Sequence, residues 1–115
     1  MKVDDVIRYS LGKPGAEETY PFGEGSLVCK VGGKSFAFIG LESKTVGVKC
    51  GPTAEAAKEL RDKYPDDVTI AAWVGRFGWN TVPLNGPVPT KELRDLVDQS
   101  YETIVSQLPK SRRPS

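Results

Sequence analysis

The sequence predicts an α+β two-layer sandwich, in which a predominantly antiparallel five-stranded sheet carries its helices on one face. Three observations lead there. Apolar residues recur at helical spacing in three separated segments, Gly32-Gly33 sits between two β-type runs, and the strands come in consecutive groups of three and two. The element order is α-β-β-β-α-β-β-α, and consecutive hairpin connections require antiparallel pairing among the first three strands.

The first helix rests on Val3, Val6, Ile7 and Leu11, and Gly12 and Pro14 end it. Lys13 to Gly25 holds prolines and glycines with little periodicity, and reads as an extended loop anchored by Tyr20 and Phe22. Ser26 to Val31 and Lys34 to Leu41 then form a hairpin, because Gly32-Gly33 suits a two-residue primed turn. That turn sets Cys29 opposite Phe36, Leu27 opposite Phe38, Val28 opposite Ala37 and Lys30 opposite Ser35. A three-residue loop, Glu42-Ser43-Lys44, leads into Thr45 to Cys50 and keeps Val46, Val48 and Cys50 on the apolar face, since a one-residue slip would invert the faces.

Thr53 caps a second helix running to about Tyr64, with Ala56, Ala57, Leu60 and Tyr64 inward and Pro65 as its stop. Thr69 to Val74 and Gly78 to Leu84 are two more strands joined through Gly75-Arg76-Phe77, and Asn85-Gly86 supplies the next turn. Thr90 caps the last helix, whose stripe of Leu93, Leu96, Val97, Tyr101, Ile104, Val105 and Leu108 covers the sheet. One domain is expected over residues 1–109, followed by a basic flexible tail at 110–115.

At 115 residues the chain supports one hydrophobic core, and 38% hydrophobic with 27% charged residues is an ordinary globular balance. No apolar run approaches the roughly 20 residues that span a bilayer, and the first residues lack the apolar stretch of a signal peptide. A cytoplasmic location, with no membrane partner, is the expectation. The chain has no histidine, which removes the commonest general base and the Ser-His and Cys-His mechanisms with it. Cys29 and Cys50 lie in apolar runs without CxxC spacing and read as buried thiols, so no metal site is expected. The glycines do not form a dinucleotide fingerprint, and Glu17-Glu18 and Asp66-Asp67 read as solvated charge. The chain is therefore read as a binding module with no catalytic residues and no cofactor, not as an enzyme.

On the register above, the face of the sheet away from the helices shows Val28, Lys30, Ser35, Ala37, Ile39, Gly47 and Lys49, with no acid among them. It reads either as a solvated sheet surface or as a docking surface. A net charge of +1 argues against the general phosphate coating of strongly basic proteins and leaves room for a local basic patch.

The string Pro14-Gly15-Ala16-Glu17-Glu18-Thr19-Tyr20-Pro21-Phe22-Gly23-Glu24-Gly25, followed by Val31-Gly32-Gly33-Lys34, resembles the opening signature of the MmcQ/YjbR family. Further segments agree in order and spacing: Val48-Lys49-Cys50, Leu60-Arg61 with Tyr64-Pro65, Trp79-Asn80-Thr81-Val82, Val88-Pro89, Ser100-Tyr101 and Leu108-Pro109. The resemblance implies the same α-β-β-β-α-β-β-α order and a DNA-binding protein of double-wing type. Many relatives have Asn-Lys and then a histidine directly before the tryptophan. This chain has Gly75-Arg76 and Gly78, so the basic residue survives and the imidazole is lost.

Together, the basic residues and the resemblance imply a nucleic-acid-binding module. Lys30, Lys34, Lys49 and Arg76 would meet phosphates, Trp79 and Asn80 would stack on or hydrogen-bond to exposed bases, and the tail would add a weak phosphate grip. The same residues also read as solvated strand lysines and a core tryptophan. The alternative function is a protein-interaction or small-ligand-binding module on the uncovered sheet face, with a homodimer possible.

Overall fold

The computed structural model describes residues 1–71 and 78–114. Its element order is α1 (Val3–Leu11), β1 (Glu17–Thr19), β2 (Ser26–Val31), β3 (Lys34–Gly40), β4 (Thr45–Lys49), α2 (Ala54–Lys63), β5 (Thr69–Ile70), β6 (Trp79–Pro83) and α3 (Thr90–Ser106). The strands form one sheet in the order β1-β2-β3-β4-β6-β5, every neighbouring pair antiparallel. The α+β class and antiparallel pairing are as expected, while the described strands number six instead of five.

The added strand is β1, inside the segment expected to be a loop. Its three residues pair with β2, setting Glu17 opposite Lys30, Glu18 opposite Cys29 and Thr19 opposite Val28. A short, charged edge strand carries no hydrophobic alternation, because nothing packs beyond it and its charges discourage further pairing. Beyond Ile70, the rest of the strand expected to Val74 and the connection Gly75-Arg76-Phe77 lie outside the described residues.

The β2–β3 hairpin begins as the Gly32-Gly33 turn dictates: both glycines have positive φ (57° and 83°), Val31 pairs with Lys34 and Lys30 with Ser35. The register then shifts. Cys29 pairs with Ala37, not Phe36, Val28 with Phe38, and Leu27 with Ile39, so Phe36 is the extra residue of a β-bulge. The β3–β4 connection is also one residue longer than expected, since Gly40 pairs with Thr45 and Lys44 takes the left-handed φ of 57°. The two slips cancel beyond β3. Val46 and Val48 still face the helices as predicted, but Ala37 and Ile39 turn inward to the core and Phe38 turns outward.

Helix α3 pins the bulge. Ser100 is fully buried; its hydroxyl donates to the Phe36 carbonyl at 2.6 Å and accepts the Lys49 amide at 2.9 Å. The next residue, Tyr101, meets the Phe36 ring edge-on with centroids 5.2 Å apart. Val6 from α1, Ala57 and Leu60 from α2, and Leu93, Leu96, Val97 and Ile104 from α3 complete the core against Leu27, Cys29, Val31, Ile39, Val46, Val48 and Val82. Thr90 is the first helical residue of α3, not its cap, because Pro89 takes the N-cap position.

Lys110–Arg112, expected within a frayed tail, form a single 3-10 turn, and Arg113 donates to the carbonyls of Leu108 and Ser106. This turn closes on the β2–β3 hairpin so tightly that a Cβ at Gly32 would lie 2.6 Å from Leu108 Cδ1 and 3.0 Å from the Arg112 carbonyl. Among the described residues no helix is long and apolar enough to cross a membrane.

Candidate functional site

With the helices on one side, the other side of the sheet is built by residues that share a face across the ladder: Val28 with Phe38, Phe38 with Gly47, Gly47 with Thr81, and Lys49 with Trp79. Gly47 shapes this surface. A Cβ there would sit 3.3 Å from Phe38 Cβ, and its absence lets the Phe38 ring lie across β4 to meet Trp79 edge-on, centroids 5.2 Å apart.

Beside this aromatic pair lies a cavity of about 570 Å³, floored by the strand residues Gly40 and Gly47 and walled by Phe22 and Phe38. Its polar side chains are the hydroxyls of Ser26, Ser43, Thr45 and Thr81; none of the described residues lining it is ionisable. Phe22 stands at the rim, 74% exposed, and was not recognisable as more than a loop anchor. It does not anchor: the Tyr20–Gly23 turn, closed by the Gly23 amide on the Tyr20 carbonyl with Gly23 at φ 100°, holds the ring out in solvent. Tyr20, the other expected anchor, is also exposed, and its hydroxyl donates to Glu18.

The residues predicted to read nucleic acid separate into distinct settings. Lys30 and Lys34 flank the β2–β3 turn, and Lys30 faces Glu17 across the ladder, which puts an acid on a face expected to have none. Lys49 is buried, and desolvation lowers its pKa. Trp79 is buried against Phe38 and offers no free ring face for stacking on a base as expected. Asn80 is fully buried on the helix side, where its amide donates to the Ala57 carbonyl (2.9 Å) and the Cys50 sulfur (3.4 Å) and its oxygen accepts from Arg61 (2.7 Å). It ties β6 to α2 instead of reading bases. Arg76 lies outside the described residues.

Ala37 and Ile39, expected on the open face, are in the core, while Phe38, expected inward, forms the cavity wall. Gly47 was the one legible pointer, since a glycine inside a strand often marks a close approach. Both thiols are buried, and burial pushes their pKa values up, that of Cys29 to about 12. Neither is activated as a nucleophile.

The family model for YjbR matches residues 11–103. The Escherichia coli strain K12 protein YjbR is 29% identical over 113 residues, spanning 98% of this chain and 95% of its own. The crystal structure of the Deinococcus radiodurans protein DR2400, with domain DUF419, superposes with a TM-score of 0.85 at 28% identity, covering 96% of this chain and 84% of that one. A Pseudomonas syringae protein of known crystal structure shares the fold, with a TM-score of 0.70 at 24% identity over 90% of this chain and 99% of its own. The match of the family model across most of the sequence, joined to the near full-length relative, places this chain in the YjbR family.

Proposed function

We propose that this chain is a non-catalytic binding module whose open sheet face takes a neutral, flat, ring-containing small molecule between Phe22 and Phe38. One observation carries the reading: a cavity of about 570 Å³ has aromatic walls, a glycine floor and a rim of hydroxyls, without an ionisable group among its described lining residues. That volume lies within the usual range of small-molecule sites, and apolar walls with a few neutral hydrogen-bonding groups are their usual composition. A charged ligand would find no counter-charge among the described lining residues. The absence of histidine and the two unactivated thiols support a binding role over a catalytic one.

The test is an amide-resolved NMR titration with indole as the neutral ring and benzoate as its charged counterpart. Saturable shifts at Phe38, Gly47, Thr45 and Thr81 with indole, weaker with benzoate and reduced about tenfold in affinity by Phe22→Ala, are expected. Indole shifts scattered away from this face would overturn the reading.

A second reading, nucleic-acid binding, is supported by a different region. The 3-10 turn folds back on the β2–β3 hairpin and so brings Lys110 and Arg112 to the end of the sheet that holds Lys30 and Lys34. Phosphate contacts at that end need no base readout from Trp79 or Asn80. Salt-titrated binding to short single- and double-stranded DNA tests it: affinity should fall with salt and fall further in Lys34→Gln. No affinity above background at low salt sinks it.

A further inference from the structure

We propose that the cleft between α1 and the first turn of α3 binds a small oxyanion, a phosphate or carboxylate head group, through Arg8 and Arg94. This site lies away from the open sheet face and stands independently of it. The cleft has a volume of about 330 Å³ and is lined by Met1, Asp5, Arg8, Tyr9, Thr90 and Arg94.

The cations outweigh the carboxylates available to them. The natural partner of Arg94 is Asp98, one helical turn on, but Asp98 Oδ1 already accepts the Tyr9 hydroxyl at 2.6 Å and the Lys13 ammonium. Arg94 makes no ion pair among the described residues; its guanidinium carbon lies 6.0 Å from the centre of the Tyr9 ring. Lys13 Nζ lies 4.8 Å from that same ring centre, so Tyr9 gathers two cations while one carboxylate serves only Lys13 directly. Arg8 has only a loose contact with Asp5, at 3.8 Å between side chains that are 80% and 48% exposed. Thr90 adds a hydroxyl with no hydrogen bond among the described residues, because it starts α3 without capping it.

Two guanidiniums on two helices and one hydroxyl thus border a single cleft. A guanidinium presents parallel N–H donors that match the paired oxygens of a phosphate or carboxylate, so Arg94 supplies a fork and Arg8 a second charge once it leaves Asp5. The volume is at the lower end for ligand sites, which suits a head group on a small body. Asp5 is the competitor within the cleft, and it sets the direction of a diagnostic variant.

Amide-resolved NMR titration of the full chain with inorganic phosphate, at constant ionic strength with chloride as the balancing anion, reads the site directly. Saturable shifts confined to Tyr9, Thr90, Arg94 and the first turns of α1 are expected. Arg94→Gln or Arg8→Gln should weaken binding about tenfold. Asp5→Asn should tighten it, since the competing charge goes while the side-chain oxygen still accepts the Lys2 amide. Acetate in a parallel titration separates the head groups, because saturation at these residues by only one anion names that class. Shifts spread over the surface lysines without saturation, or an Arg94→Gln protein that titrates like the wild type, overturn the proposal.

Discussion

On the helix side of the sheet, Ala37, Ile39, Val46, Val48 and Val82 are fully buried, and the buried Asn80 and Ser100 side chains are hydrogen-bonded, while the Ser10 hydroxyl of α1 is buried without a partner among the described residues. On the other side, Phe22 is 74% exposed and a ring of hydroxyls borders an open cavity with two glycines in its floor. The same strands build both surfaces, with alternate residues. Burial and hydrogen bonding on one side carry most of the stability, while on the other side Val28 and Trp79 are buried and the exposed Phe22 ring contributes little to folding. The contrast separates the residues that keep the fold from those available for binding.

The strongest challenge to this division is Phe36→Ala. It removes a fully buried ring that meets Tyr101, and should destabilise the protein by about 3–5 kcal/mol in urea melts. A loss below about 1 kcal/mol would mean that the helix-side core is not built as described.

Gly47→Val tests the boundary between the faces. The new side chain would collide with Phe38 and push its ring off Trp79, costing about 1–3 kcal/mol and quenching or shifting the tryptophan emission. An unchanged emission spectrum with full stability would show that Gly47 does not position the aromatic pair.

A smaller effect belongs to the Tyr9–Lys13–Asp98 cluster, where α1 and the following loop meet α3. Burial alone would raise the Asp98 pKa, but hydrogen bonds from Lys13 and Tyr9 and the Lys13 charge hold it below the ordinary carboxylate value. A carboxyl depressed in the folded state adds stability above its unfolded pKa, near 4, and loses it as pH falls through the lower folded value. Stability measured between pH 6 and about pH 3 should therefore fall less steeply in Asp98→Asn than in the wild type. Equal slopes would remove Asp98 from the account.

Phe22→Ala should be the gentlest of all, within about 0.5 kcal/mol of wild-type stability, because its ring has little burial to lose. Its effect should fall on the proposed ring binding alone. A large destabilisation would mean that the two faces are not separable.

Much of the helix side was legible because its signals are local. The Gly32-Gly33 turn, the α3 stripe and the burial of Val46 and Val48 follow from spacing and turn chemistry. The open side was misread at one strand, since Phe36, Ala37, Phe38 and Ile39 are all apolar and any register of such a run places apolar residues on both faces. Nothing nearby marked Phe36 as a bulge; its carbonyl is satisfied by Ser100, 64 positions along the chain. Asn80 was misjudged for a similar reason, because its partners Arg61 and Ala57 belong to α2 and become visible only when the helix docks. Glu17 to Thr19 escaped because an edge strand of charged residues shows no alternation.

The bulge at Phe36 gives the hairpin an odd count on one side, and that count decides which neighbour is displayed and which is hidden. In a regular ladder that paired Phe36 with Cys29, Phe38 and Ile39 would trade places, exchanging an aromatic outer wall for an aliphatic one. The outward character of this strand is thereby set by a side chain that never meets solvent: Phe36 holds the extra place, and the residues from Ala37 to Gly40 take their faces from it.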